Sequence, residues 1–551
     1  MSETEVSKRL QSSLDSEKGR FNEITATSQK AINNGMTDLL KKHPELTEVK
    51  AEFDGIGTLD ATLKSSQLSL NVTGQENLAS MYYCTFDSGT VHFTIGDKDF
   101  KVDDWAMAWT CTFDKEEIDP TSEEFKQISN QISQPGDFSI SSLFFAFTND
   151  DIINFDRGNS NFTGAAVSDD EKTYMSLILG KWYVGADSKW QDRQKRTLAY
   201  ALHTAKPETV LQYTVNKNAP SFPPTSLKLQ TYPYIAPNQT EPGEGLGEVG
   251  ENNMLLYLQM TKNRPFPDVR LLEYSGNYVS PGINGMIIID RDIFWDSYLF
   301  RTSPAQLLSL LNVYTYAWVG SASIPGTAGE QWDIATGLHS NDPNFYAWKQ
   351  NAFNPLTWTW APSNGEQSYH KKFQDNGGWN WLDIDCTTSN TLSAVPGDNN
   401  INAGGTTDIK IVCQSVGTIA PFNWEYDYTI HVQITWQTKI TISATDGGLK
   451  VSLNLPADLT TAFQVTADKL KFHSSTSGDE KLDAVRERNQ GLQDDLMQQF
   501  RDISFGDVEK ALEKDLNTTA RFVIPGNASL TYEKPVFNNN GDLMIEANYI
   551  V

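Results

Sequence analysis

Trp424-Glu-Tyr-Asp-Tyr-Thr-Ile-His-Val-Gln-Ile-Thr-Trp-Gln-Thr-Lys-Ile-Thr-Ile-Ser-Ala444 is the stretch that decides the fold class. Trp424, Tyr426, Tyr428, Ile430, Val432, Ile434, Trp436, Ile440 and Ile442 take the even positions, with only Thr438 interrupting them. Polar residues from Glu425 to Thr441 take the odd ones. A period of two sends alternate side chains to opposite faces of a strand. At roughly 3.3 Å per residue, ~20 residues extend on the order of 65 Å, whereas strands typically run about 5 to 6 residues. Because sheets twist, a strand of that length has to bow, and its apolar face needs a cover. Asp446-Gly447-Gly448 turns the chain, and Leu449, Val451, Leu453 and Leu455 alternate on the return. After Gly478-Asp479, a helical stripe of Leu482, Val485, Leu492, Leu496, Phe500 and Ile503 supplies the expected cover. A shorter helix through Val508, Leu512 and Leu516 and three closing strands near 521–525, 528–533 and 543–551 complete the C-terminal reading.

Towards the N-terminus, Phe21, Ile24, Ser28, Ile32, Met36 and Leu39 recur at spacings of three and four, which predicts a helix. Lys41, Lys42 and His43 suit its last turn and Pro44 stops it. Val6, Leu10 and Leu14 extend the pattern backwards. From about Thr47 to Phe113 the period becomes two, with Trp105, Met107, Trp109, Cys111 and Phe113 on one face, which predicts an antiparallel meander. A helix is expected near 192–203, and residues 219–250, rich in Pro, Gly, Asn and Glu, read as a linker or long loop. Strands follow at 254–260 and 282–289. Asp290 then caps a helix carrying Ile293, Phe294, Trp295, Tyr298 and Leu299, which Ser303-Pro304 restarts. The expected fold is α+β, with long amphipathic helices wrapped by long curved antiparallel sheets. It is divided into two modules at residues 1–250 and 251–551.

Lys and Arg number 44 against 70 Asp and Glu, a formal net charge of −26, which repels phosphate backbones and excludes nucleic acid as the expected partner. The charged start Met1-Ser-Glu-Thr-Glu-Val-Ser-Lys-Arg-Leu10 lacks an apolar signal core, and no run approaches the ~18 apolar residues that span a bilayer. The expectation is a soluble, cytoplasmic protein in the producing cell, with non-classical release as a route outward. The four cysteines form two pairs with a common spacing of 27, Cys84/Cys111 and Cys386/Cys413, and each pair brackets a Gly-Asp (Gly96-Asp97, Gly397-Asp398). Either a duplicated hairpin or coincidence accounts for this, and the spacing leaves disulfide bonding open. No metal site and no cofactor are expected.

Catalytic motifs are missing. The seven histidines make no His-Glu-x-x-His pair, and there is no Gly-x-Ser-x-Gly elbow or Walker loop. Gly245-Leu-Gly247-Glu-Val-Gly250 matches the dinucleotide glycine pattern, but prolines and acids precede it and a strand follows, so it reads as a loop. Trp332, Tyr346, Trp348, Trp358, Trp360, Trp379 and Trp381, with Asp333, Asp383 and Asp385, fit either packing residues or an aromatic contact surface for sugar, membrane or protein. The candidate ligand groove is lined by Trp424, Tyr426, Tyr428, Ile430, Val432, Ile434 and Trp436 of the long strand, Phe294 and Tyr298, and Leu496 and Phe500.

Several stretches resemble one family. Asn253-Met-Leu-Leu-Tyr-Leu-Gln-Met-Thr-Lys-Asn-Arg-Pro-Phe266, Gly285-Met-Ile-Ile-Ile-Asp-Arg-Asp-Ile-Phe294, Phe138-Ser-Ile-Ser-Ser-Leu-Phe-Phe-Ala-Phe147, Phe522-Val-Ile-Pro-Gly-Asn527 and Gly541-Asp-Leu543 are similar, in that family's order, to the forty-seven-kilodalton clostridial protein encoded beside botulinum neurotoxin and its OrfX relatives. Their superfamily is the tubular lipid-binding (TULIP) fold. The resemblance implies a non-enzymatic protein that binds lipid or another apolar molecule, as a toxin-cluster accessory. The alternatives are an assembly component of a toxin-like complex with a protein partner and no ligand, or a carbohydrate-binding protein or glycosidase.

Overall fold

The computed structural model describes residues 4–73, 79–132, 138–147, 149–184, 194–204, 224–248, 250–269, 271–300, 313–319, 332–338, 348–361, 369–375, 378–419, 422–445, 448–456, 461–468, 470–474, 479–503, 522–523 and 529–550. Antiparallel sheets dominate, with a few helices laid on them, an α+β fold. The chain forms two compact units, one of residues 1–293, 443–449 and 516–551, the other of 294–442 and 450–515.

The first unit holds two large sheets beside a short two-stranded one, Asp15–Ser16 with Gly19–Arg20. In the larger one the meander Glu48–Phe53, Gly57–Leu70, Ala79–Phe93 and Ala106–Glu117 continues into Phe138–Ala146, Thr197–Thr204 and Phe522–Val523. Trp105, Met107, Trp109, Cys111 and Phe113 are all buried, as their period of two requires. The six-stranded sheet runs Pro224–Tyr232, Met254–Thr261, Glu23–Ser28, Gly285–Ile289, Leu543–Ile550, Ser529–Phe537. One face of it carries a core of Ile24, Ala26, Leu256, Leu258, Met286, Ile288 and Met544.

Helix Gln29–Lys42 is shorter than its apolar spacing predicted, because Phe21 and Ile24 lie before it and Glu23–Ser28 is a strand. Pairing on both sides, to Met254–Thr261 and Gly285–Ile289, outweighs the helical spacing, and β-branched Ile24, Thr25 and Thr27 suit a strand. Ser28 then caps the helix by accepting from Ala31 N–H. Near the N-terminus only Glu5–Leu10 is helical, and Leu14 is buried outside it. The helix expected near 192–203 is a short 3₁₀ turn, Gln194–Arg196, followed by strand Thr197–Thr204 between two partners. A helix at Asp169–Val184, which the sequence reading passed over, packs on Glu48–Phe53. The segment read as a linker or long loop, 219–250, contains a strand, Pro224–Tyr232, hydrogen-bonded to Met254–Thr261, and only the part after Tyr232 joins the two. The glycine-rich match within it is a structural loop: Gln29 Nε2 donates to Gly245 O (2.9 Å), and a Cβ on Gly250 would lie 2.2 Å from that oxygen.

In the second unit Phe422–Thr445 is one unbroken strand of 24 residues. Asn400–Ile419 pairs along nearly its whole length, and Phe463–Ala467 and Lys471–Ser474 flank it on the other edge. Helix Asp479–Arg501 lies against Trp332–Leu338 and Phe463–Ala467, the second of which is paired to the long strand, and its Phe500 stacks on Phe463. Strand Val313–Val319 packs on Gly378–Ala394 and Asn400–Ile419. Asp292–Leu299 is the helix expected after Asp290, whose Oδ1 accepts from Asp292 N–H, and it winds as a π-helix. The Ser303-Pro304 restart and the helix through Val508, Leu512 and Leu516 lie outside the described residues.

The cysteine spacing marks a repeated hairpin. Cys84 faces Met107 and Cys111 faces Ser80 in one; Cys386 faces Ile409 and Cys413 faces Leu382 in the other. The offset is identical, and both turns carry a glycine in the left-handed region, Gly96 and Gly397. All four cysteines are free and buried. Within each pair the thiols stand four strand positions apart, ~13 Å at roughly 3.3 Å per residue, which precludes a disulfide. Among the described residues no helix is long and apolar enough to cross a membrane.

Candidate functional site

Helix Gln29–Lys42 buries Ala31, Ile32, Met36 and Leu39 against the meander strand Gly57–Leu70. Two side-chain amides fix its seat. Asn33 Nδ2 donates to Leu68 O (3.0 Å) while its Oδ1 accepts from Leu68 N–H (2.7 Å). Gln29 Oε1 accepts from Leu70 N–H (2.7 Å). An amide presents a donor and an acceptor side by side, so it extends a strand edge as another strand would.

Beside this seam opens a cleft with walls of Met36, Leu39, Leu40, Leu46, Leu63 and Trp182. Ser66, Tyr183, Lys195 and Thr197 also line it. The hydroxyls form a buried chain: Tyr82 donates to Ser66 Oγ (2.8 Å) and its oxygen lies 2.6 Å from that of Tyr183. Burial raises the pKa of both phenols, so they stay protonated donors. Lys195 Nζ sits 4.0 Å from the centre of the Trp182 ring, a cation–π contact. The cleft is narrow and encloses about 10 Å³, room for a single water. Its lining is amphipathic, aliphatic and aromatic side chains together with one cation and three hydroxyls.

Of the groove candidates read from the long strand, Tyr426, Tyr428, Ile430, Val432, Ile434 and Trp436 are all buried, as are Phe294, Tyr298, Leu496 and Phe500. The side chain of Trp424 lies outside the described residues. Trp436, Phe463 and Phe500 stack in series, with centroids 6.4 and 4.6 Å apart. The Trp436 indole donates to Asn390 Oδ1 (2.9 Å), two strands away. It crosses over Gly405, which stands between them in register and where a Cβ would meet both groups at 2.2 and 2.4 Å. Gln499 of the long helix repeats the amide device, accepting from Thr336 N–H (2.6 Å) and donating to Ile334 O (3.0 Å).

The aromatic-rich region divides in two. Trp358 and Trp360 face inward and are buried, Trp358 stacking on Trp295 at 3.7 Å. Trp379 and Trp381 share the outer face of Gly378–Ala394 with Asp383 and Asp385. Tyr346 and the side chains of Trp332 and Asp333 lie outside the described residues.

Met36 and Leu39 of the cleft were legible as a helix stripe, but Ser66, Trp182 and Lys195 come from three other elements and carry no shared sequence signal. The nearest hint was two tyrosines, Tyr82 and Tyr183, at core positions, where each phenol demands a partner.

No family model matches the chain and no curated protein sequence does. Among solved structures, the chain is similar to a lipopolysaccharide binding protein, at 10% identity and TM-score 0.26, covering 96% of this chain and 99% of that one. It is also similar to P47 of Clostridium botulinum E1, at 9% identity and TM-score 0.44 over 96% and 99% of the two chains. With P47 from Clostridium botulinum A2, similarity extends over 96% of this chain and 97% of that one, at 11% identity and TM-score 0.46.

Proposed function

We propose that the protein is a non-enzymatic binder of an apolar, lipid-like molecule, taken up beside helix Gln29–Lys42. The amphipathic cleft carries this reading. Aliphatic walls offer an acyl chain an apolar surrounding worth about 0.8 kcal/mol per buried CH₂, and Lys195 with the hydroxyls offers a place for an anionic or polar head. Since the cleft encloses about 10 Å³, the helix has to swing outward to admit a chain. Native mass spectrometry after incubation with oleate tests this. Wild-type protein should retain oleate, Leu39→Trp should lower retention at least tenfold, and Lys195→Ala should weaken oleate more than oleyl alcohol. No retained oleate, or retention unchanged in Leu39→Trp, would refute the reading.

A second reading, an assembly component acting through a protein partner, is favoured by the second unit. There the Trp436–Phe463–Phe500 stack and the Gln499 bonds fill the seam between helix and sheet with the protein's own side chains. A stoichiometric partner retained through size-exclusion chromatography, with no bound lipid in the mass spectrum, would support it over the first.

A further inference from the structure

Strand Gly378–Ala394 points Leu382, Ile384, Cys386 and Leu392 inward, all buried. Trp379, Trp381, Asp383 and Asp385 point the other way. Trp381 keeps 36% of its surface in water. Its indole Nε1 donates to Asp383 Oδ2 at 2.6 Å. That bond holds the indole beside Asp383 on the same strand face, where part of the ring stays in water. Gln414 stands directly across from Trp381 and Lys410 across from Asp385, and both are exposed.

We propose that this outer face is a carbohydrate-binding platform for a neutral, β-linked glycan. It lies in the second unit and does not depend on the apolar cleft. A pyranose with equatorial hydroxyls has an apolar C–H face and a polar rim. Trp381 matches the first by stacking. Carboxylate, amide and ammonium groups around it match the second, since they accept from and donate to hydroxyls. A bilayer fits this surface poorly, because insertion of Trp381 would carry Asp383 and Asp385 out of water. Anionic glycans fit poorly too, given those two carboxylates and a formal net charge of −26. An insoluble polymer presents many repeats, so weak binding to one short stretch of glycan is still read as retention.

The test uses the full chain on insoluble chitin, cellulose and xylan, followed by fluorescence titration with the corresponding hexasaccharide. Retention on at least one polymer is expected. Trp381→Ala should weaken it at least tenfold, Gln414→Ala about threefold, and Trp381→Phe should keep part of it, all with unchanged melting temperature. Failure of the wild-type protein to bind all three polymers overturns the proposal, as does equal binding by Trp381→Ala. Trp381-dependent flotation with phosphatidylcholine vesicles and no glycan retention would also overturn it, in favour of a membrane contact.

Discussion

Glu23 sits in the middle strand of the six-stranded sheet, fully buried, with both carboxylate oxygens unpartnered. Burial alone raises its pKa well above the ordinary 4.5, so the folded protein keeps it as a neutral acid. The unfolded chain releases that proton at lower pH. Stability from this group is therefore complete below about pH 4.5 and is lost as pH rises towards the folded value. Glu23→Gln should remove the trend, being more stable than wild type at pH 8 and nearly equal to it at pH 4. Urea denaturation at the two pH values measures this, and equal differences at both would contradict it. His431 gives the opposite geometry, half-exposed on the long strand's polar face. Its ring nitrogens lie 2.6 Å from Asp468 and 2.9 Å from Asp408, and these bonds raise its pKa from 6.5. Its contribution is present below the ordinary histidine range and fades as pH rises through the elevated folded value. An NMR titration should place the imidazole midpoint above 6.5, and Asp408→Asn should lower it. The sequence told half of this: the odd-position period placed His431 in water, but Asp408, on a paired strand, and Asp468, just past the end of Phe463–Ala467, are brought alongside only by register.

At the scale of elements, amide side chains seat two helices on strand edges, Asn33 on Leu68 and Gln499 on Ile334 and Thr336. Asn33→Ala strips partners from a backbone N–H and C=O, and should cost about 1–3 kcal/mol. Hydrogen exchange should show Leu68 N–H losing protection while the Glu23–Ser28 strand keeps its own. If helix Gln29–Lys42 must lift to admit an acyl chain, the same substitution should speed oleate uptake in stopped-flow measurements. Unchanged exchange at Leu68 would show that the amide does not hold the helix. Gly405 sets a comparable limit within the sheet. Gly405→Ala places a methyl against Asn390 and the Trp436 indole, and overpacking of that kind should cost about 1–3 kcal/mol, read as a lower denaturant midpoint.

For the whole molecule, the period of two along Trp424–Ala444 was enough to establish one strand, because nothing but a strand satisfies an alternation of that length interrupted only at Thr438. The resemblance to the forty-seven-kilodalton clostridial family was likewise read from Asn253–Phe266 and Gly285–Phe294. The doubled cysteine spacing pointed to hairpins whose registers agree position for position. What covers each face was not readable. The long helix showed its apolar stripe, but that it meets Trp332–Leu338 and Phe463–Ala467 was not readable, since period tells which side of an element is apolar and says nothing of which neighbours it meets. Glu23–Ser28 carried a helical spacing and became a strand because partners over 200 residues away bond both of its edges. Local chemistry thus determined periodicity, turns and charge from the sequence alone. The cleft beside helix Gln29–Lys42, the stack that fills the second unit's seam and the pairing of Trp381 with Asp383 and Gln414 were decided only by tertiary structure, because each depends on distances between residues the chain order keeps apart or on a face the period leaves unassigned.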